Sequence, residues 1–263
     1  MISALETLLG GACSTLFQPI YDVRGERFGV WALEALTRGP AGTHFEQAPV
    51  LFEYVRLKRE EERVDRWCIA SAFARFAALA VPTRLSINVH ASTLERDPGF
   101  ATFIESSAVA TCVDPAMLIV EIVEQAPYFD ASRILRVLKD LRSLGVAIAI
   151  DDVGAGHGNF RTILDALPEY LKIDRYLVAG AATDPRRRSL ITSALQIGRD
   201  FGALVVAEGV EDHADLRTLR EMNVPLLQGF LLGTPQTQPS LDPVTPMGDL
   251  PGASAYTDLR SDA

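Results

Sequence analysis

Val146-Ala147-Ile148-Ala149-Ile150-Asp151-Asp152-Val153-Gly154-Ala155-Gly156 is an apolar run that stops at two adjacent carboxylates and a glycine-rich loop. A short continuous apolar stretch describes a strand buried on both faces, as in a parallel sheet, whose C-terminal end delivers negative charge into a cleft. Adjacent aspartates repel one another and are costly to bury together, so either a cation holds them or they lie in solvent. Alone, the pair reads as a solvated turn with Gly154 and Gly156 as ordinary loop residues. The decision rests on what other strands bring to the same place.

Outward from this strand, whose apolar part is 146–150, the chain alternates. Strand-like runs fall at 84–89, 117–122, 170–173, 204–207 and 225–230, separated by helical patterns at 100–109, 131–144, 160–167, 186–201 and 214–222. Such alternation predicts a parallel sheet with right-handed crossovers. Nearer the start, runs at 15–21 and 28–36 are joined by a polar turn containing Gly25, too short for anything but an antiparallel hairpin. A helical pattern, broken at most once, covers 49–78. Counting the hairpin gives eight strands, the number that closes a barrel. An open doubly wound sheet is the alternative, but no Gly-x-Gly-x-x-Gly turn follows an early strand. The expected fold is α/β, a (β/α)8 TIM-like barrel with one antiparallel strand. The expected organisation is an N-terminal lead-in helix in 1–13, the barrel in 14–236, and a flexible tail rich in Pro, Asp, Gly and Ser in 237–263.

The whole chain narrows the function. Its 263 residues are 48% hydrophobic and 22% charged, ordinary for a soluble globular protein. A net charge of −9 argues against a nucleic-acid polymer as partner, since polyanion binding needs a basic surface, but permits a small phosphate ligand neutralised locally by metal ions or arginines. Cys13, Cys68 and Cys112 are odd in number, widely spaced and without a Cys-x-x-Cys pair, so they read as buried thiols in a reducing compartment. No apolar stretch is long enough to span a bilayer, and the expected location is cytoplasmic, without a membrane.

The polar residues at the strand ends carry the chemistry. Glu34 ends the second strand, Asn88 the third, Glu121 the fourth, Asp151 and Asp152 the fifth, Lys172 the sixth, Glu208 the seventh and Gln228 the eighth. The C-terminal ends of parallel barrel strands open onto one face, so these groups converge. Five carboxylates and a carboxamide oxygen, with no histidine or thiolate, make a hard oxygen set suited to Mg²⁺ or Mn²⁺. One of the adjacent aspartates could bridge two ions about 3.5–4 Å apart, an arrangement suited to phosphodiester hydrolysis. Lys172 and Asp174 share a strand face by the period of two. Lys172 could orient the attacking water or offset developing charge, and a plain salt bridge to a neighbouring carboxylate explains it equally well. Gln18 and Arg38 flank the hairpin and could contact a base or phosphate. His90 shares the face of Asn88, where a lone histidine is more often a packing or hydrogen-bonding residue than a ligand.

These residues resemble the EAL-domain cyclic di-GMP phosphodiesterases. Glu34-Ala35-Leu36 is the family signature, followed by Thr37-Arg38. The match runs in order through Phe17-Gln18-Pro19-Ile20, Ser86-Ile87-Asn88-Val89, Glu121-Ile122-Val123-Glu124, Asp151-Asp152-Val153-Gly154, Leu171-Lys172-Ile173-Asp174, Ala207-Glu208-Gly209-Val210-Glu211 and Gln228-Gly229-Phe230. The resemblance implies a hydrolase that converts cyclic di-GMP to linear pGpG with two Mg²⁺ or Mn²⁺ ions. It implies that Glu34, Asn88, Glu121 and Asp151 hold one ion and that Asp151, Asp152 and Glu208 surround the other. Lys172 then acts on the hydrolytic water and Glu208 is also a candidate base. Gln18, Arg38, Asp174 and Gln228 belong to the substrate pocket, and Glu124 and Glu211 are supporting. A homodimer is implied, with a sensory or signalling protein as a further partner. The alternative is a catalytically silent cyclic di-GMP receptor acting through a protein partner. The chain departs from the family in the loop 153–159 and in a shortened segment after Arg38, which bear on rate and regulation.

Overall fold

The structure, a computed structural model, describes residues 13–123, 131–154 and 159–245. The expected lead-in helix up to residue 12, Glu124 and loop residues 155–158 lie outside them. The strands are β1 Ser14–Asp22, β2 Gly29–Arg38, β3 Arg84–His90, β4 Leu118–Val123, β5 Ala147–Val153, β6 Tyr170–Ile173, β7 Leu204–Ala207 and β8 Leu226–Leu227. The helices are α1 Ala48–Lys58, α2 Glu61–Leu79, α3 Ala91–Arg96, α4 Phe100–Thr111, α5 Ala131–Ser143, α6 Asn159–Ala166, α7 Arg175–Val178, α8 Pro185–Phe201 and α9 His213–Glu221.

The strands close a barrel in chain order. β1 runs antiparallel to both β2 and β8, and β2 to β8 are mutually parallel, as the hairpin and the alternation predict. Strand alternation divides the core in two. Ile20, Ala32, Ile119, Ala149, Tyr170, Val206 and Leu226 fill the barrel interior. Their neighbours Leu33, Val120, Ile148, Leu171, Val205 and Leu227 belong to the larger cluster between sheet and helices.

The helical pattern at 49–78 breaks once, as the sequence allows, at Arg59, whose left-handed φ of 58° ends α1. Three details depart from the sequence reading. The short helices α3 and α7 have no sequence signal, because each is too short to show a period and is set by side-chain hydrogen bonds. Asp174 starts α7 by accepting from the Tyr176 amide at 2.8 Å, and Thr93 in α3 donates to Asp65 at 2.6 Å. The chain also stays on the barrel past the expected tail boundary at 237. Val244 exchanges both backbone hydrogen bonds with Phe28, at 2.8 and 3.0 Å, and packs against the core with Leu241. Cys112 is exposed instead of buried, since it caps the C-terminus of α4 at a φ of 56°.

Candidate active site

Each inward apolar residue of the barrel is followed, two positions on, by a polar one. Ala32 leads to Glu34, Ile119 to Glu121, Ala149 to Asp151, Tyr170 to Lys172, Val206 to Glu208 and Leu226 to Gln228. On β1, which runs the other way, Gln18 precedes Ile20. The period of two thus stacks a polar layer above an apolar one at the C-terminal mouth. Glu34 is mid-strand, not terminal, because β2 runs on to Arg38.

Lys172, 2% exposed, is the hub. Its Nζ lies 2.6 Å from Glu208 Oε1, 3.4 Å from Glu34 Oε2 and 3.6 Å from Asp151 Oδ1, and it also donates to Glu121 Oε2. Burial pulls its pKa down, but the carboxylates of Asp151, Glu121, Glu208 and Glu34 outweigh this and hold it well above the ordinary value. Glu34 also accepts from Asn88 Nδ2 at 2.8 Å and from Gln228 Nε2 at 2.7 Å. Burial raises the Glu34 pKa, yet Lys172, Asn88 and Gln228 together leave it below the usual carboxylate range. Glu121 is pushed up to about 8 by burial and by Glu34 beside it. Burial likewise pushes Glu208 well above its ordinary value. Ser86, fully buried, donates to Glu121 Oε1.

Adjacent strand residues normally point to opposite faces, so Asp151 and Asp152 should not both reach the mouth. The backbone resolves this. Asp152 adopts a left-handed φ of 53°, and the β5–β6 register shifts between Ile150 and Val153. A non-glycine residue in that region costs about 1–2 kcal/mol, a strain typical of functional sites. One carboxylate oxygen from each of Asp151, Asp152 and Glu208 then lies within 4.8 Å of the others. Burial, with Asp151 and Asp174 nearby, lifts Asp152 to about 6.

A divalent ion fits this donor set. Among the described residues Asp151 Oδ1 is buried and accepts no hydrogen bond, and the same is true of Gln228 Oε1. A buried carboxylate oxygen that accepts no hydrogen bond, with the Lys172 ammonium 3.6 Å away and two further carboxylates beside it, has the character of a metal ligand, and hard oxygen donors suit Mg²⁺ or Mn²⁺.

The remaining sequence-predicted residues ring this centre. A cleft of about 260 Å³ is lined by Gln18, Glu34, Asp151, Lys172, Glu208, Glu211 and Gln228. Gln18 Nε2 donates to the Gly233 carbonyl at 3.0 Å. Glu211 pairs with Arg175 at 3.1 Å. Asp174 is not on the face of Lys172 by strand alternation, because β6 ends at Ile173 and Asp174 caps α7. It still reaches Asp152 electrostatically. Arg38 borders a second cavity of about 530 Å³ that also touches Glu34, Asn88 and Asp151. His90 hydrogen-bonds Asp65 at 2.8 Å through Nδ1, the packing role and not a ligand's. Ser86 escaped the sequence reading, although its position two before Asn88 on an inward face was the available signal.

A family model described as EAL domain matches residues 3–235. The chain belongs to the EAL domain family. It is 31% identical over 242 residues to an uncharacterized signaling protein of Caulobacter vibrioides, a match covering 91% of this chain and 29% of that protein. It is 31% identical over 179 residues to a cyclic di-GMP phosphodiesterase of Pseudomonas aeruginosa, covering 67% of this chain and 30% of the relative. The chain thus spans less than a third of the length of either relative. Among solved structures, a standalone EAL protein from Vibrio cholerae in its c-di-GMP bound form superposes with a TM-score of 0.76 at 28% identity, over 88% of this chain and 95% of that one. A calcium and cyclic di-GMP complex from Klebsiella pneumoniae gives 0.77 at 28% identity, over 90% and 59%. The EAL domain barrel is therefore the fold, and the hard-oxygen site lies at its mouth.

Proposed function

We propose that this EAL domain, with residues 14–236 as its catalytic unit, hydrolyses cyclic di-GMP to linear pGpG in a metal-dependent reaction. The observation that carries the reading is the convergence of Glu34, Asn88, Glu121, Asp151, Asp152 and Glu208 around Lys172, with Asp151 Oδ1 buried and accepting no hydrogen bond among the described residues. Every ligand-type side chain that the family resemblance implies is present, which favours an enzyme over a silent receptor. Glu34, Asn88, Glu121 and Asp151 would hold one ion, and Asp151, Asp152 and Glu208 the other. Bound Mg²⁺ or Mn²⁺ would supply Lewis-acid stabilisation of the phosphoryl oxygens and acidify the attacking water. Lys172 would orient that water and offset negative charge as it develops. Glu208, whose carboxylate takes up protons readily, would receive the proton. Gln18, Arg38, Asp174 and Gln228 would bind the nucleotide. Glu124 and Glu211 would support the surrounding loops.

A homodimer is part of the proposal, and a sensory or signalling protein would supply regulation. Phe160, Leu164 and Leu167 are exposed large apolar side chains on α6 and just after it, a face suited to a second copy. A cytoplasmic location accords with the free cysteines, and no described helix is long and apolar enough to cross a membrane. The test is incubation with cyclic di-GMP and Mg²⁺ or Mn²⁺, with pGpG as the expected product and Glu34→Ala as an inactive control. Binding without turnover would refute the enzyme and favour the receptor. Full activity in Glu34→Ala would refute the metal assignment.

A further inference from the structure

We infer that Asp65, on α2, is a positioning residue that sets Asn88 at the metal centre by tying down the turn that follows it. The inference rests on the metal reading above.

Asn88 stands at a weakly supported place in β3. Pairing with β2 ends at Ala35 and Ile87, so from Asn88 onward the strand has a ladder partner only in β4. Ile87 and Val89 on either side of it are packed in the core between sheet and helices, while Asn88 itself borders the cavity of about 530 Å³. Sheet pairing therefore leaves the height and tilt of Asn88 under-determined on the β2 side.

Asp65 reaches this end of β3 from α2. Its carboxylate, 2% exposed, accepts from the His90 backbone amide at 3.0 Å, from His90 Nδ1 at 2.8 Å and from Thr93 Oγ1 at 2.6 Å. Thr93 is fully buried and His90 nearly so. Phe52 covers the imidazole, with ring centroids 5.6 Å apart. Three hydrogen bonds to one ionised acceptor are strong and directional. They fix the backbone two residues beyond Asn88 and the first turn of α3. With that point fixed, Asn88 Nδ2 meets Glu34 Oε1 at 2.8 Å, and its carboxamide oxygen is left for an ion. Groups that orient a metal's ligands typically govern affinity by about 10–100-fold.

The experiment uses the full chain and Mn²⁺ as the probe, with binding followed by calorimetry and metal-free stability by thermal unfolding. Thr93→Val removes one of the three bonds in an isosteric side chain and is expected to weaken Mn²⁺ binding about 10-fold. Thr93→Ser should restore it. Asp65→Asn, where it folds, should weaken binding further. The readout that a purely structural role would not move is the pairing with Asn88. In an Asn88→Ala background, Thr93→Val should cause no additional loss of Mn²⁺ affinity, because the group it positions is gone. Wild-type affinity in Thr93→Val, or an equal loss with and without Asn88, would overturn the inference while leaving the metal reading intact. Failure of the wild type to take up Mn²⁺ would overturn the metal reading and the inference with it.

Discussion

Replacing Lys172 by methionine keeps the side-chain length and removes the ammonium that contacts four carboxylates. At the observed separations of 2.6, 3.4 and 3.6 Å, each attraction is about 4–6 kcal/mol at an effective dielectric of about 20. Most of that offsets the desolvation of a side chain only 2% exposed. The net loss on removing one partner of a buried ion pair is about 3–5 kcal/mol. For a domain of this size 1 kcal/mol moves Tm by about 2–4 °C, so Lys172→Met should melt roughly 10 °C below the wild type in the presence of a chelator. The difference depends on pH. Glu121 is held at about 8, so at pH 6 it carries a proton and relieves the repulsion. The gap should be widest near pH 8.5 and narrow at pH 6. Saturating Mn²⁺ should recover part of it, because the ion binds only the folded state. Equal melting temperatures at pH 8.5 in chelator would refute Lys172 as the counter-charge that holds the mouth together.

Metal binding should release protons, since Asp152, at about 6, and Glu121, at about 8, must ionise to act as ligands. Mn²⁺ affinity measured by calorimetry should therefore rise from pH 6 to pH 8, and a flat profile would contradict the raised values. The same shifts mean that the metal-free fold binds more protons than the unfolded chain between the ordinary carboxylate range and about pH 8, so its stability should fall as pH rises through that window. Gly229→Ala would place a Cβ 2.1 Å from the Val210 carbonyl oxygen, a backbone clash beside Gln228. It should cost about 1–3 kcal/mol or more, visible as a Tm several degrees lower. His90 should titrate above its ordinary 6.5 by NMR, because burial lowers its pKa but Asp65 and Glu61 together raise it by more. Stability from that pair is then full below about 6.5 and lost as pH climbs through the folded value.

The barrel was legible because its signals are periodic. The alternation of strand-like and helical runs predicts the closed parallel sheet, and the period of two places Glu34, Glu121, Asp151, Lys172 and Glu208 above apolar residues on one interior face. Details set by a few local hydrogen bonds or one dihedral had no such signal. Asp152 reaches the site through a left-handed backbone that the pleat does not foretell. Asp174 reads as a strand residue at i+2 from Lys172, but its carboxylate caps α7. Ser86 and Asp65 are chemically ordinary residues whose importance arises from what lies opposite them, Glu121 in one case and the His90–Thr93 turn in the other. The segment to Val244 reads as a tail by composition, yet Phe28 provides free backbone groups that hold it.

The central claim is that the acidic mouth of this barrel carries out metal-dependent opening of a cyclic dinucleotide. It is tested most directly by chromatographic analysis of cyclic di-GMP after incubation with the wild type and Asp151→Asn, each in Mn²⁺ and in chelator. The predicted result is linear pGpG from the wild type in Mn²⁺ alone. Bound but uncleaved cyclic di-GMP in every sample would contradict it.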